Sequence, residues 1–227
     1  MPNDRADSPF PPDALKDAPA RPRVRDAEVT RARLLESAEA LFARKGYDGT
    51  RLREVAEDAG VTVPLLCHHF HDKDGLYDAV VARGLGRVAD VGWDVLRRSS
   101  SVAEQIAGLV TALADFAARE ASLTSILHRE MADGGVRARP LAERFLTPLK
   151  DAAVNTLRAA QQRGEVRRVD PDLLVLHIAG AVIYPSLAAP LVQAVWGDDP
   201  QDPAFVERRK RALLDLLLPL VLVPPAG

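Results

Sequence analysis

Cys67, His68, His69 and His71 fall within one five-residue run. Thiolate and imidazole are zinc ligands, and a thiol with a depressed pKa is also a redox group. On a helix Cys67 and His71 share a face while His68 points elsewhere. No second ligand cluster at zinc-site spacing follows. The histidines therefore read as a surface that meets something else, and the sequence leaves open whether Cys67 senses oxidants. A second polar cluster, His128-Arg129-Glu130, interrupts an otherwise apolar stretch. His128 with Glu130 or His177 could act as an acid–base pair. No nucleophile motif, paired carboxylates or phosphate loop accompanies them. In this reading His128 points inward as a donor, and Arg129 and Glu130 face solvent.

The elements that must position these groups are helical. The chain has 227 residues, 47% hydrophobic and only 5% aromatic. Its wealth of Ala, Leu, Arg and Glu favours helix, and no run of alternating β-branched residues reads as a strand. The fold class expected is all-α. A net charge of −2 gives no global attraction to nucleic acid, so any such affinity is local. One cysteine excludes an intramolecular disulfide and suits a reducing compartment, so a cytoplasmic location is expected. No signal pattern opens the chain. The longest apolar run, LLDLLLPLVLV, is short and broken by Asp215 and Pro219, so no membrane partner is expected.

The histidine run lies inside Thr50–Lys73, TRLREVAEDAGVTVPLLCHHFHDK. Thr50 reads as an N-cap, and Leu52, Val55, Ala56 and Ala59 recur at helical spacing. Gly60 stops that helix, where a left-handed residue costs glycine little. Thr62 caps a second helix, Pro64 sits in its first turn, and Leu66 and Phe70 share one side. Two short helices so joined form a helix-turn-helix, whose second helix enters a DNA major groove. A helix from about Asp26 to Lys45 supports the pair, with Val29, Leu34, Leu35, Ala38, Leu41 and Phe42 inward.

The segment RLLESAEALFARKGYDGTRLREVAEDAGVTVPLLCHHFHDKDGLYDAV resembles the DNA-binding domain of the tetracycline-repressor (TetR) family of bacterial regulators. Ala38, Leu41, Phe42, Lys45-Gly46-Tyr47, Thr50, Val55-Ala56, Ala59-Gly60-Val61, Leu66, Phe70, Lys73 and Leu76 carry the likeness. Cys67 and His69 stand where the family commonly has tyrosine. The resemblance implies that Lys73 and His69 touch the DNA backbone. Thr50 and Thr62, at helix N-termini, suit phosphate, and Arg51 and Arg53 flank Thr50. Base readout falls to Val63, Pro64, Leu65 and Cys67, which offer apolar contact to thymine methyls, and to His68, His69 or His71.

Three segments are expected. Residues 1–25 form a Pro-rich, basic-ended arm whose Arg25 can reach DNA; 26–71 form the helix-turn-helix domain; 72–222 form a helical effector-binding and dimerisation domain. The last is read as a helix from Asp72 to about Arg98, loosened by Gly84, Gly86 and Gly92. Ser101 and Glu104 read as a capping box that starts the next helix, carrying Ile106 to Phe116; helices near Ala121–Ala132 and Pro140–Gln162 follow, the last expected to kink at Pro148, and Asp170 caps the helix that Pro171 opens. The segment LLVLHIAGAVIYPSLAAPLVQAVW, apolar nearly all round, should be buried on more than one side; a helix from Asp202 closes the chain. The resemblance implies that the last two long helices dimerise and that the middle ones enclose a small-molecule pocket. Trp93, Phe116, Leu127, His128, Met131, His177 and Tyr184 are its candidate lining residues. The partners expected are an operator duplex, a small apolar effector and a second copy of the chain; no cofactor is implied. The competing readings are a helical enzyme using His128 and Glu130, and a helical dimerisation protein whose helix-turn-helix is idle.

Overall fold

The computed structural model describes residues 24–224. Residues 1–23 of the expected arm, and the side chain of Arg25, lie outside the described residues; the backbone of its last two residues, 24 and 25, already belongs to the first helix. Ten helices follow in order: α1 Val24–Gly49, α2 Leu52–Asp58, α3 Val63–Phe70, α4 Lys73–Arg98, α5 Val102–Arg119, α6 Ala121–Ala132, α7 Ala138–Gln162, α8 Pro171–Leu187, α9 Ala189–Trp196 and α10 Pro203–Val221. Apart from one isolated bridge between Val166 and Leu222, the described residues pair no strands.

Local chemistry explains most helix starts. Asp72 accepts the Gly75 N–H at 2.8 Å, Ser101 the Glu104 N–H at 3.2 Å, and Asp170 and Asp202 each accept two N–H groups of the turns they open. The Glu104 carboxylate reaches back to Ser100, accepting from its N–H and Oγ, both at 2.8 Å.

Thr50 departs from expectation. It is buried, and its hydroxyl donates to Gly46 O at 2.8 Å; Arg51 occupies the N-cap position of α2. The reason lies in α1, which breaks at Gly46 (φ 74°, ψ 178°). Only glycine takes that conformation cheaply, and Thr50 satisfies the carbonyl left there.

Two cores form. One joins α1, α2, α3 and the first half of α4, and takes in Ile126 of α6 and Ala138 of α7. It therefore runs past residue 71 without a break in packing. The other joins α5, α7, α8 and α10. Lys210 of α10, buried, ties to Asp115 of α5 at 2.8 Å.

Helix α4 stays helical through its glycines. Rather than loosening it, two of them admit neighbours: a Cβ at Gly84 would lie 2.3 Å from Leu123 Cδ1, and one at Gly92 would lie 2.4 Å from Leu149 Cδ2. Likewise α7 is continuous through Pro148 and α8 through Pro185; the chain turns at Ala188 instead, bending α8 and α9 by 80°. No single described helix is long and apolar enough to cross a membrane.

The segment expected to be buried on several sides is not. Leu174, Ile178 and Val182 of α8 pack on the second core, while Leu173, Leu176 and Tyr184 are at least half exposed, as are Leu216 and Leu220 of α10.

The close approaches on α4 give opposite signs for the same substitution. Gly84→Ala should destabilise by about 1–3 kcal/mol through overpacking against buried Leu123. Gly86→Ala, whose Cβ would meet Phe145 at an ordinary 3.7 Å, should gain up to about 1 kcal/mol from helix propensity. Urea denaturation of the two variants checks both signs.

Candidate nucleic-acid interface and internal cavity

Helix α3 presents its outer face by elimination. Leu66 and Phe70 are buried in the first core, and Val63 and Cys67, four apart, are half-buried against it. That leaves Thr62, Pro64, Leu65 and His68 outward, with His69 partly so. Thr62 caps the helix, accepting the Leu65 N–H at 3.4 Å. Cys67 and Val63 therefore lie to the side of the face expected to read bases. The His69 imidazole is held below its ordinary pKa by burial, then by His68 and Arg31.

The basic groups around α3 are partly committed. Arg31 lies over the Phe70 ring at 5.2 Å, and Arg33 donates to Ala59 O at 2.6 Å, securing the α2–α3 turn. Arg53 pairs with Glu57 at 2.8 Å, while Arg51 is exposed. Lys73 is half-buried, with Nζ 3.4 Å from Asp48 O and 4.3 Å from the Tyr47 ring centre. Among the described residues no three His, Cys, Asp or Glu side chains gather as metal ligands.

Glu130 reverses the expectation of a solvent-facing carboxylate. It is buried, accepting from Tyr77 Oη at 2.7 Å and from the Ala138 N–H at 3.0 Å. His128, expected inward, is exposed. The two are not assembled as an acid–base pair. Around Glu130 the head and body interlock. Arg137 lies 3.9 Å from the Tyr47 ring centre, Tyr47 Oη donates to Asp74 at 2.6 Å, and Ser125 Oγ donates to Ala43 O at 3.1 Å. Glu39 of α1 accepts from Arg83 at 2.6 Å and Arg87 at 3.1 Å, and Arg87 continues to Glu120 at 2.7 Å. The interlocking contacts join residues 27 to 90 positions apart in sequence, so no local pattern announces them.

A cavity of about 480 Å³ opens between α4, α5, α7 and α8, walled by residues such as Val88, Leu96, Leu109, Leu113, Leu149 and Ile183. None of the seven expected lining residues borders it. Met131, His177 and Tyr184 are exposed, and Leu127 packs against the head core. Trp93 and Phe116 are half-buried elsewhere on α4 and α5. His128 borders only a second, more polar pocket of about 510 Å³ beside Ser186 and Gln201. Helical spacing could not choose among faces of helices that are apolar on several sides.

A short-helix head carried on a helical body that encloses an apolar cavity defines a helix-turn-helix regulator with a second, non-DNA module. A family profile, "Bacterial regulatory proteins, tetR family", matches residues 34–80. The HTH-type transcriptional repressor SCO4008 of Streptomyces coelicolor is 30% identical over 175 residues, covering 74% of this chain and 86% of that protein. Among solved structures, AibR in complex with isovaleryl coenzyme A and operator DNA superposes with a TM-score of 0.67 at 18% identity, covering 84% and 98% of the two chains. A transcriptional regulator from Saccharomonospora viridis in complex with choline gives 0.69 at 18%, covering 86% and 99%. The chain belongs to the tetR family of bacterial regulatory proteins and is a DNA-binding transcriptional regulator.

Burial, and then the hydrogen bond to Glu130, raise the Tyr77 pKa well above 10. The unfolded tyrosine ionises near 10, so this contribution to stability is complete below that pH and is lost as pH rises through the folded value. Tyr77→Phe should cost about 1–3 kcal/mol at neutral pH, because Glu130 loses a donor. The gap to the parent should narrow toward about pH 11, as urea denaturation across that range would show.

Proposed function

We propose that the protein is a homodimeric repressor that a small, largely apolar effector releases from its operator in the cytoplasm. The observation that carries this reading is the continuity of α4. Its first half is buried in the head core through Leu76, Tyr77, Val80 and Val81, and its far half borders the cavity at Val88 and Leu96. A straight helix of 26 residues spans roughly 39 Å, so a shift imposed at the cavity reaches the head. The domain division at residue 71 is functional in this proposal: residues 26–71 meet DNA, and 72–222 bind effector and partner.

On the head, Thr62, Pro64, Leu65 and His68 are the groove-facing set, with Val63 and Cys67 supporting from the side. His69, Arg51, Lys73 and Arg25 supply backbone contacts. Thr50 shapes the turn rather than meeting phosphate, since its hydroxyl is taken inside. The exposed apolar faces of α8 and α10 support a second copy of the chain as partner, because exposed apolar patches of this kind mark interfaces. Pairing the heads lets two α3 helices reach major grooves about 34–36 Å apart. SCO4008 bears the name of a repressor, and AibR was solved with both an acyl-coenzyme A and its operator. Effector and operator then oppose each other through a coupling of about 1–3 kcal/mol.

Fluorescence anisotropy with DNA flanking the protein's own gene tests the reading. Expected is sequence-preferring binding that weakens with salt, and a loss of at least about tenfold in Leu65→Glu; absence of such binding would sink it. Dimerisation has its own measurement. Leu176→Asp should run as a monomer by light scattering and lose operator affinity, while the parent runs as a dimer.

A further inference from the structure

After Asp172, helix α8 carries no charged residue. Its outward side is a single stripe of Leu173, Leu176, His177, Gly180, Ala181 and Tyr184, all exposed. Steps of three and four set them along one line of the helix. The middle of that line is small and its ends are large. Gly180 is the informative member. It lies inside α8, and its φ is not positive, so glycine only weakens the helix there relative to alanine. Its own chain does not ask for it: a Cβ at Gly180 would meet no atom within 4 Å, whereas leucines of this chain crowd Gly84 and Gly92. A helical glycine that makes room for nothing in its own chain leaves room for another backbone.

A stripe with a small centre and bulky ends is complementary to itself. Two copies of α8 crossing about a two-fold axis set small centre against small centre, with the larger side chains packed beside the crossing. A regulator with one recognition helix per chain also needs two copies to reach successive major grooves. At one end of the same stripe, Leu173 and Leu176 line the cavity while 50% and 62% exposed. On this side the cavity wall is thus one layer of side chains with solvent beyond it.

We infer that a second copy of the chain crosses α8 at Gly180–Ala181 and, by covering Leu173 and Leu176, completes the cavity, so that ligand and partner bind cooperatively. This rests on the readings of the protein as a homodimer and of the cavity as its effector site, and adds how the two are coupled. Ordering a half-exposed side chain costs rotamer freedom. Once the partner has fixed these two leucines the ligand no longer bears that cost, and the reverse holds equally. An effector then releases the operator by respacing the heads, and the freed protein stays dimeric.

Gly180→Leu tests this in the full-length protein, with the uncharged fluorophore prodan as probe. Neither Gly180 nor Tyr184 borders the cavity, and α8 has room for the new side chain, so the variant should keep the parent's helical circular dichroism. It should run as a monomer by sedimentation velocity and bind prodan at least about fivefold more weakly than the parent dimer. Saturating prodan should tighten the parent dimer by at least the same factor. Tyr184→Asp, at the far end of the stripe, is the second variant should the first not fold. A folded monomeric variant that binds prodan as tightly as the parent overturns the inference and leaves the homodimer standing. A Gly180→Leu protein that stays as firmly dimeric as the parent overturns the crossing. A parent that is monomeric with and without prodan overturns the inference together with the homodimer, and a parent that binds no prodan overturns the inference alone. Cooperative prodan binding that leaves operator affinity unchanged supports the coupling and removes the effector role.

Discussion

The carboxylate of Glu130 lies where α4, α6 and the start of α7 meet, holding the Tyr77 hydroxyl with one oxygen and the Ala138 amide with the other. A charge taken out of water needs such donors, and losing one is far more costly than at the surface. The Phe42, Tyr47 and Tyr77 rings pack around the same point, with Phe42 and Tyr77 4.9 Å and Tyr47 and Tyr77 5.1 Å apart. Most of the head's orientation on the body follows from this junction. Arg137 and Lys73 lie on Tyr47, and Ser125 holds the end of α1. The head is thus joined to α6 and α7 as firmly as to its own α4.

That junction gives a physical route between cavity and DNA face. Helix α4 enters it at one end and borders the cavity at the other, and at Gly84 and Gly92 leucines of α6 and α7 approach its backbone closely. Such contacts leave little room for α4 to move without its neighbours, since packed interiors transmit displacement rather than absorb it. Glu39, shared between Arg83 and Arg87, couples α1 to the same helix. A change in α4 therefore reaches the base of the head through several contacts at once.

The unpartnered faces belong to the same design. Leu173 and Leu176 border the cavity and are also exposed on α8. The helix that closes one side of the cavity is thus the helix that offers an apolar surface outward. Filling the cavity and covering that surface are consequently not independent events, because both act on the same two side chains.

The sequence by itself determined the helices and the frame of the head. Asp72, Ser101, Asp170 and Asp202 cap the helices they were expected to cap, Gly60 turns α2 into α3, and Leu66 and Phe70 face inward. These are local matters of hydrogen-bonding side chains, backbone freedom and a period of 3.6 residues. Tertiary structure alone decided the rest. Thr50 reads as a cap, yet the break at Gly46 draws its hydroxyl inward. Glu130 reads as solvated, yet Tyr77, 53 residues away, meets it in the core. His128 and Tyr184 read as cavity lining, yet packing turns them outward and puts Gln105 in the wall instead. For Thr50 the deciding partner is a backbone break four residues back, for Glu130 it is remote in the chain, and helical periodicity names a face without naming what that face will meet.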